Sequence, residues 1–280
     1  MAKGEKMDSN SVPKLIYGTA WKEEKTTELV ELAINKGFRA FDTANQPKHY
    51  QEVLVGEALK SAFEKGFNRD DFFIQTKFTP QGGHDHRIPY SLDKGLQERV
   101  HQSFNNSLEN LNIQTIDSYL LHGPHSFPGL GKEDLEVWLA LEEIYKSGKT
   151  KKIGISNVNK QQLETLCELS TITPMVVQNR CHADRAWDRE VRDFCKEYGI
   201  QYQGFSLLTA NPFVYQIKEI GLIASKYGVT IGQLIFKFSC QIDIIPLTGT
   251  RSPEHMEEDL QIDKFELTPD EVHLLETCAI

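Results

Sequence analysis

Short apolar runs of strand length alternate along this chain with longer stretches whose apolar residues recur at helical spacing. The runs are "KLIYGTA", "FRAFDTA", "FFIQTKFT", "IDSYLLHG", "KKIGISNV", "PMVVQNRC", "IQYQGFSLL" and "IIPLTGT", eight in all, each followed by a helical stretch. After the third run, Leu96, Val100, Phe104, Leu108 and Leu111 share one helix face, and Ser91 is expected to cap that helix. Leu135, Trp138, Leu141 and Tyr145 form a second stripe, and Gly148 stands where a left-handed C-terminal residue is wanted. Asn159 with Gln162, and Thr268 with Glu271 behind Pro269, read as capping boxes. Ser252-Pro253 opens the helix after the eighth run in the same way.

Strands alternating with helices argue for parallel βαβ units. No linker, low-complexity tract or charge block divides the chain, so the expected fold class is α/β, a closed (β/α)8 barrel forming a single domain over residues 13–280. An open doubly wound sheet is the competing arrangement. Its nucleotide fingerprint, GxGxxG, is missing from the first strand–helix turn, "YGTAWKEEK". Residues 1–12 read as a polar, frayed segment without the apolar middle of a signal peptide.

Composition narrows the picture further. A formal charge of −9 disfavours a nucleic-acid binder, while a local basic pocket for one phosphate stays open. No apolar run approaches the ~20 residues that span a bilayer. Cys167, Cys181, Cys195, Cys240 and Cys278 are scattered and odd in number, which points to reduced thiols and no zinc site. The expectation is a cytoplasmic protein, monomeric or weakly dimeric, with no membrane partner.

In a barrel, reactive residues belong at the C-terminal ends of strands. Asp42 ends the second strand with Tyr50 in its loop, Lys77 ends the third and His122 the fourth. A lone Lys or His there is ordinarily just solvated or hydrogen-bonded, but these four are chemically complementary. A free tyrosine, with a pKa of about 10, is a poor acid near neutrality, and a nearby ammonium lowers that value. Lys77 is expected to do so, aimed by Asp42, while His122 donates a hydrogen bond to a substrate oxygen. Side chains supply no hydride, so reduction of a small-molecule carbonyl substrate requires a nicotinamide or flavin.

The motifs "GTAW", "FDTA" with Tyr50 and "VGEAL", "QTKF", "DSYLLHG", "KKIGISNV", "VVQN" and "PLTGTRSPEHMEEDL" together resemble the aldo-keto reductases from about Leu15 onward. The resemblance implies a TIM barrel that reduces aldehydes and ketones with NADPH, less often NADH. It makes Asp42, Tyr50, Lys77 and His122 the catalytic tetrad, Tyr50 being the proton donor. It also assigns Ser156, Asn157 and Gln178 to the nicotinamide carboxamide and Phe205 in "QGFSLL" to ring stacking, with Ser206 and Leu208 in the same cofactor site. Gly18 and Thr19 fall at a turn near the cofactor. Thr248, Gly249, Thr250, Arg251 and His255 fall on its adenosine phosphates, and Glu258 and Asp259 on adenine. Here Arg251 and His255 replace the usual Lys and Arg. Trp21, His49 and Gly123 would line the substrate pocket, Gly123 standing where many relatives carry a Trp.

One departure concerns the acid itself. Tyr50 lies eight residues after Asp42, longer than the usual interval, and Gln46, Pro47 and Lys48 are expected to bulge outward. "GGHDHR" (His84, Asp85, His86) imitates a metal site, but its Gly-rich loop offers no further ligands. Two other functions fit parts of the pattern. A Schiff-base aldolase would use Lys77 as an unprotonated amine. A non-catalytic nicotinamide-binding, redox-sensing subunit would keep the cofactor site without turnover.

Overall fold

The computed structural model describes residues 13–125 and 127–280, so the polar segment 1–12 lies outside the described residues. Its strands are β1 (Ile16–Gly18), β2 (Ala40–Asp42), β3 (Phe73–Phe78), β4 (Ser118–Leu121), β5 (Ile153–Ser156), β6 (Val176–Arg180), β7 (Gln201–Phe205) and β8 (Ile244–Thr248). They form a closed barrel in sequence order, each parallel to its neighbours. β1 closes onto β8 with Tyr17 opposite Thr248. The expected closed (β/α)8 architecture is what forms, and the doubly wound alternative is excluded.

The wall is made of α1 (Thr26–Lys36), α2 (Glu52–Glu64), α3 (Leu96–Leu111), α4 (Lys132–Lys146), α5 (Lys160–Leu169), α6 (Arg189–Tyr198), α7 (Lys218–Tyr227), α8 (Ile231–Gln241), α9 (Pro253–Asp259) and α10 (Pro269–Thr277). The one-helix-per-strand expectation undercounts: α7 and α8 both follow β7, and α9 and α10 both follow β8. The boxes at Asn159 and Thr268 form, and Ser252 accepts the His255 N–H. Gly148 follows α4 at φ +75°. Ser91 does not cap α3. Residues 91–94 make their own turn, Gly95 is the cap residue, and the Ser91 N–H goes to the Gln102 side chain.

Side chains of each strand alternate between two environments. Phe41, Ile74, Phe78, Tyr119 and Ile155 turn outward into the large apolar layer beneath the helices, with Val55, Leu59, Phe104, Trp138 and Leu141. Inside, a small apolar floor is made by Ile16, Ala40, Phe73 and Leu247. Above that floor the interior is polar. Among the described residues, no helix is long and apolar enough to cross a membrane.

Close approach of α2 to α3 is what "VGEAL" encodes. A Cβ on Gly56 would lie 2.1 Å from the Asn110 carbonyl oxygen, so only glycine fits. Beside it, the buried Glu52 carboxylate accepts from Thr76, Ser107 and Asn110. This ties α2 to the outer face of β3 and to α3, and so fixes the end of the loop that carries Tyr50.

Candidate active site

Asp42 and Lys77 meet inside the barrel, 3% and 0% exposed. Inward alternation on β2 and β3 places them side by side, just above the apolar floor. The Lys77 ammonium donates to both Asp42 carboxylate oxygens at 2.7 Å and to the Thr43 carbonyl at 2.9 Å. Asp42 Oδ1 also accepts from Gln75 at 2.8 Å and Gln178 at 2.9 Å. Burial pushes the Lys77 pKa down, and the Asp42 charge opposes that shift. A charge pair this deep persists only when its hydrogen bonds are completed in this way.

The long loop returns Tyr50 to this pair. A turn closes on Gln46, whose carbonyl accepts the N–H groups of His49 at 2.9 Å and Tyr50 at 3.0 Å. Gln46 does not bulge outward with Pro47 and Lys48. It is 6% exposed, donates through Nε2 to the Gly83 carbonyl, and faces His49 Nδ1 with its Oε1 at 3.0 Å. The Lys77 ammonium lies 5.3 Å from the centre of the Tyr50 ring, and the His122 ring is edge-on to it at 5.9 Å. The Tyr50 hydroxyl has no hydrogen-bond partner among the described residues and faces the cavity. Its pKa is raised, by burial first and by Asp42 second. The expected lowering by Lys77 does not occur, because the ammonium is matched by Asp42 and lies over the ring face.

His122 follows β4, its N–H bonded to the Phe78 carbonyl at 2.8 Å. Burial, then the charge of Lys77, holds its pKa well below the ordinary imidazole value, so it is neutral. The Trp21 and His49 rings lie in tilted contact, 3.9 Å between ring centres, and form one wall of the mouth. The Trp21 N–H donates to the His49 carbonyl at 2.8 Å, which joins the loop after β1 to the Tyr50 loop. His84 and Asp85 are engaged elsewhere, His84 with the Thr79 carbonyl and Asp85 with Arg87.

Asp42, Tyr50 and His122 open on a cavity of about 940 Å³. Gly18, Ser156, Asn157, Gln178, Phe205, Ser206 and Leu208 line it, and Thr248, Gly249, Thr250, Arg251, His255, Glu258 and Asp259 line its far arm. Asn157 and Ser206 adopt left-handed backbone, φ +54° and +57°, at the ends of β5 and β7. Gln178 Nε2 is bound to Asp42 and Gln203, which leaves its carbonyl oxygen for a ligand. Asn157 Nδ2 is likewise held by the His122 carbonyl at 2.8 Å. The free acceptors of Gln178 and Asn157, with the Ser156 hydroxyl, match the donors and acceptor of a carboxamide.

Two expected positions are not in the cavity. Thr19 is fully buried and bonds the Asp42 carbonyl through its hydroxyl at 2.9 Å, so it locks β1 to β2. Gly123 stands beside Asn157, where an added Cβ would make only ordinary contact at 3.6 Å. Other groups that line the cavity escape a reading of the sequence. Lys22 donates to the Gly249 carbonyl at 2.8 Å, and burial with the nearby Arg251 charge lowers its pKa to about 8. Arg251 itself donates to the Trp21 carbonyl. Arg180 lies over the Phe205 ring at 5.2 Å. Inward alternation from Gln178 was the available signal for Arg180, whereas Lys22 sits in "WKEEK" and looks like a solvated run. Asp259, bonded by Thr248 at 2.7 Å, is raised by burial to about 6.

Known proteins resemble this chain in sequence and fold. The profile of the Aldo/keto reductase family matches residues 14–280. Glyoxal reductase of Bacillus subtilis is 31% identical over 249 residues, covering 89% of this chain and 81% of its own. Aldo-keto reductase family 1 member A1 of Xenopus tropicalis is 27% identical over 292 residues, covering 94% and 84%. An aldo-keto reductase structure from a Medee basin deep-sea metagenome library superposes with a TM-score of 0.82 at 26% identity, covering 98% of this chain and 94% of that one. These relatives support carbonyl reduction with a nicotinamide cofactor as the general chemistry of the site. With the match running through every strand of the barrel, the chain belongs to the aldo/keto reductase family.

Proposed function

We propose that this protein reduces aldehydes or ketones to alcohols with NADPH, the proton coming from Tyr50. The observation that carries the reading is the convergence of Tyr50 and neutral His122 over the buried Asp42–Lys77 pair, at the mouth of a dinucleotide-sized cavity. Ser156, Asn157 and Gln178 would hold the carboxamide, and Phe205 the nicotinamide face. Lys22 and Arg251 would grip the phosphates, and that pair of cations favours NADPH over NADH. A bound nicotinamide supplies the hydride.

Each polar group then has a part. His122 Nε2, which has no partner among the described residues, orients the carbonyl oxygen. The Tyr50 phenol stays protonated at working pH and gives its proton to the far more basic substrate alkoxide. The Lys77 charge stabilises the phenolate left behind. Lys77 is shut off from water, whereas the Tyr50 hydroxyl faces the cavity, where a substrate can reach it. The Trp21–His49 wall, with Trp21 largely exposed, suits small carbonyl compounds without a tight shape requirement.

A Schiff-base role for Lys77 finds no support. All three ammonium N–H groups are engaged and the side chain is 0% exposed, so no lone pair faces a substrate. The deciding experiment is NADPH oxidation with a panel of small aldehydes, dicarbonyls such as glyoxal first among them, in wild type and Tyr50→Phe. The variant is expected to lose about 10²-fold or more in kcat. Equal rates would remove Tyr50 from the mechanism. NADPH binding without turnover of any substrate would favour the redox-sensing subunit. The same assay with NADH reads the cofactor preference.

A further inference from the structure

Below His122 sits a residue that neither the sequence motifs nor the cavity wall brings to notice. Thr79 follows β3, is 2% exposed, and places its hydroxyl 2.7 Å from His122 Nδ1. Its own backbone is clamped. The Thr79 carbonyl accepts from the Tyr90 hydroxyl at 2.9 Å and from His84 Nε2 at 3.0 Å. Gly83 packs so closely that an added Cβ there would lie 2.6 Å from the Thr79 methyl. The hydroxyl therefore has a fixed origin and a single neighbour.

A hydroxyl and an imidazole nitrogen can share a hydrogen bond in either direction, so the direction must come from the surroundings. Were Nδ1 protonated, it would donate to Thr79, and the threonine hydrogen would need another acceptor. Among the described residues Thr79 Oγ1 has no second partner. A buried hydroxyl hydrogen without an acceptor costs about 1–3 kcal/mol. In the opposite direction the buried pair is satisfied: Thr79 donates, Nδ1 accepts, and the one ring proton of the neutral imidazole is placed on Nε2, facing the cavity.

We propose that Thr79 is a positioning residue that fixes the tautomer of His122, so that Nε2–H points into the cavity as a ready donor for the substrate oxygen. The inference rests on the carbonyl-reductase reading of the site for its consequence, but the tautomer itself does not depend on turnover. It also separates two roles that one histidine otherwise mixes. An imidazole whose second nitrogen is occupied by a hydrogen-bond donor orients and polarises the carbonyl, while the proton that ends on the product leaves from Tyr50.

The test combines spectroscopy with kinetics. In protein labelled with 15N at histidine, the His122 signals are identified by their loss in His122→Gln. Wild type is expected to show an unprotonated Nδ1 and a protonated Nε2. Thr79→Val, which keeps the shape and removes the hydroxyl, is expected to show a mixture of tautomers and a kcat about tenfold lower. The Kd for NADPH should stay unchanged. Thr79→Ser is expected to restore both the tautomer and most of kcat. A protonated Nδ1 in wild type overturns the proposal, and that arm needs no variant to fold. A Thr79→Val protein that loses kcat while His122 keeps its wild-type tautomer overturns it as well, since the loss would then be purely structural. If no carbonyl is turned over by wild type, the functional reading fails while the tautomer result stands by itself.

Discussion

Along β3, Gln75 and Lys77 turn into the barrel while Ile74 and Phe78 turn out toward the helices, and the two faces of this one strand obey different rules. The outer face is a matter of volume. Ile74 and Phe78 join Phe104, Trp138 and Leu141 in a layer where apolar area and close packing decide stability. The inner face is a matter of matching. Gln203 is bonded to Gln75 and Gln178 at 2.7–3.0 Å, and those two, with Lys77, bind Asp42. A polar layer in that position contributes little net stability, yet an unmatched member is costly. The lesson is that the inner face is kept for chemistry and the outer face for holding the barrel shut.

The sharpest way to break this contrast is to unmatch the inner pair. Asp42→Ala leaves the Lys77 ammonium buried without a counter-charge, and a loss of roughly 3–5 kcal/mol in denaturant unfolding is expected. Asp42→Ala with Lys77→Met should regain more than half of that stability while remaining inactive. A double variant as unstable as the single one would show that charge pairing is not what the inner face requires. On the outer face, Leu141→Ala empties a fully buried site and should cost about 2–4 kcal/mol. Activity per folded molecule should stay at the wild-type level. A large drop in kcat would mean that the wall transmits packing to the site.

The smallest expected effect lies at the cavity's far arm. Lys22 has its pKa lowered to about 8, so it is charged below that pH and loses its proton as pH rises through it. NADPH affinity, followed by fluorescence titration, should weaken about fivefold more between pH 7 and 9 in wild type than in Lys22→Met. Parallel pH curves would remove Lys22 from the phosphate grip.

Much of the outer face was legible in the sequence, because apolar periodicity and caps are local signals. The stripe of Leu135, Trp138 and Leu141 and the boxes at Asn159 and Thr268 reappear as α4, α5 and α10. Ser91 misled because a side chain suited to capping says nothing about whether the next residues first make a turn of their own. Strand-end placement of Asp42, Lys77 and His122 was equally readable from alternation and barrel topology. The electrostatics around Tyr50 were not, since they depend on which oxygen the Lys77 ammonium meets and on burial from elements far apart in sequence. Lys22 escaped for the same reason: an isolated cation in a sequence has no address until the loop from β1 is folded back.

The turn closed on Gln46 has a broader consequence. Between Asp42 and Tyr50 the chain carries more residues than the gap requires, and the surplus is wound off as slack at Pro47 and Lys48. Contour length and reach are therefore decoupled in this loop. The anchoring oxygen at Gln46 sets where the phenol arrives, because it holds the N–H groups of both His49 and Tyr50 and so winds the intervening residues into one turn.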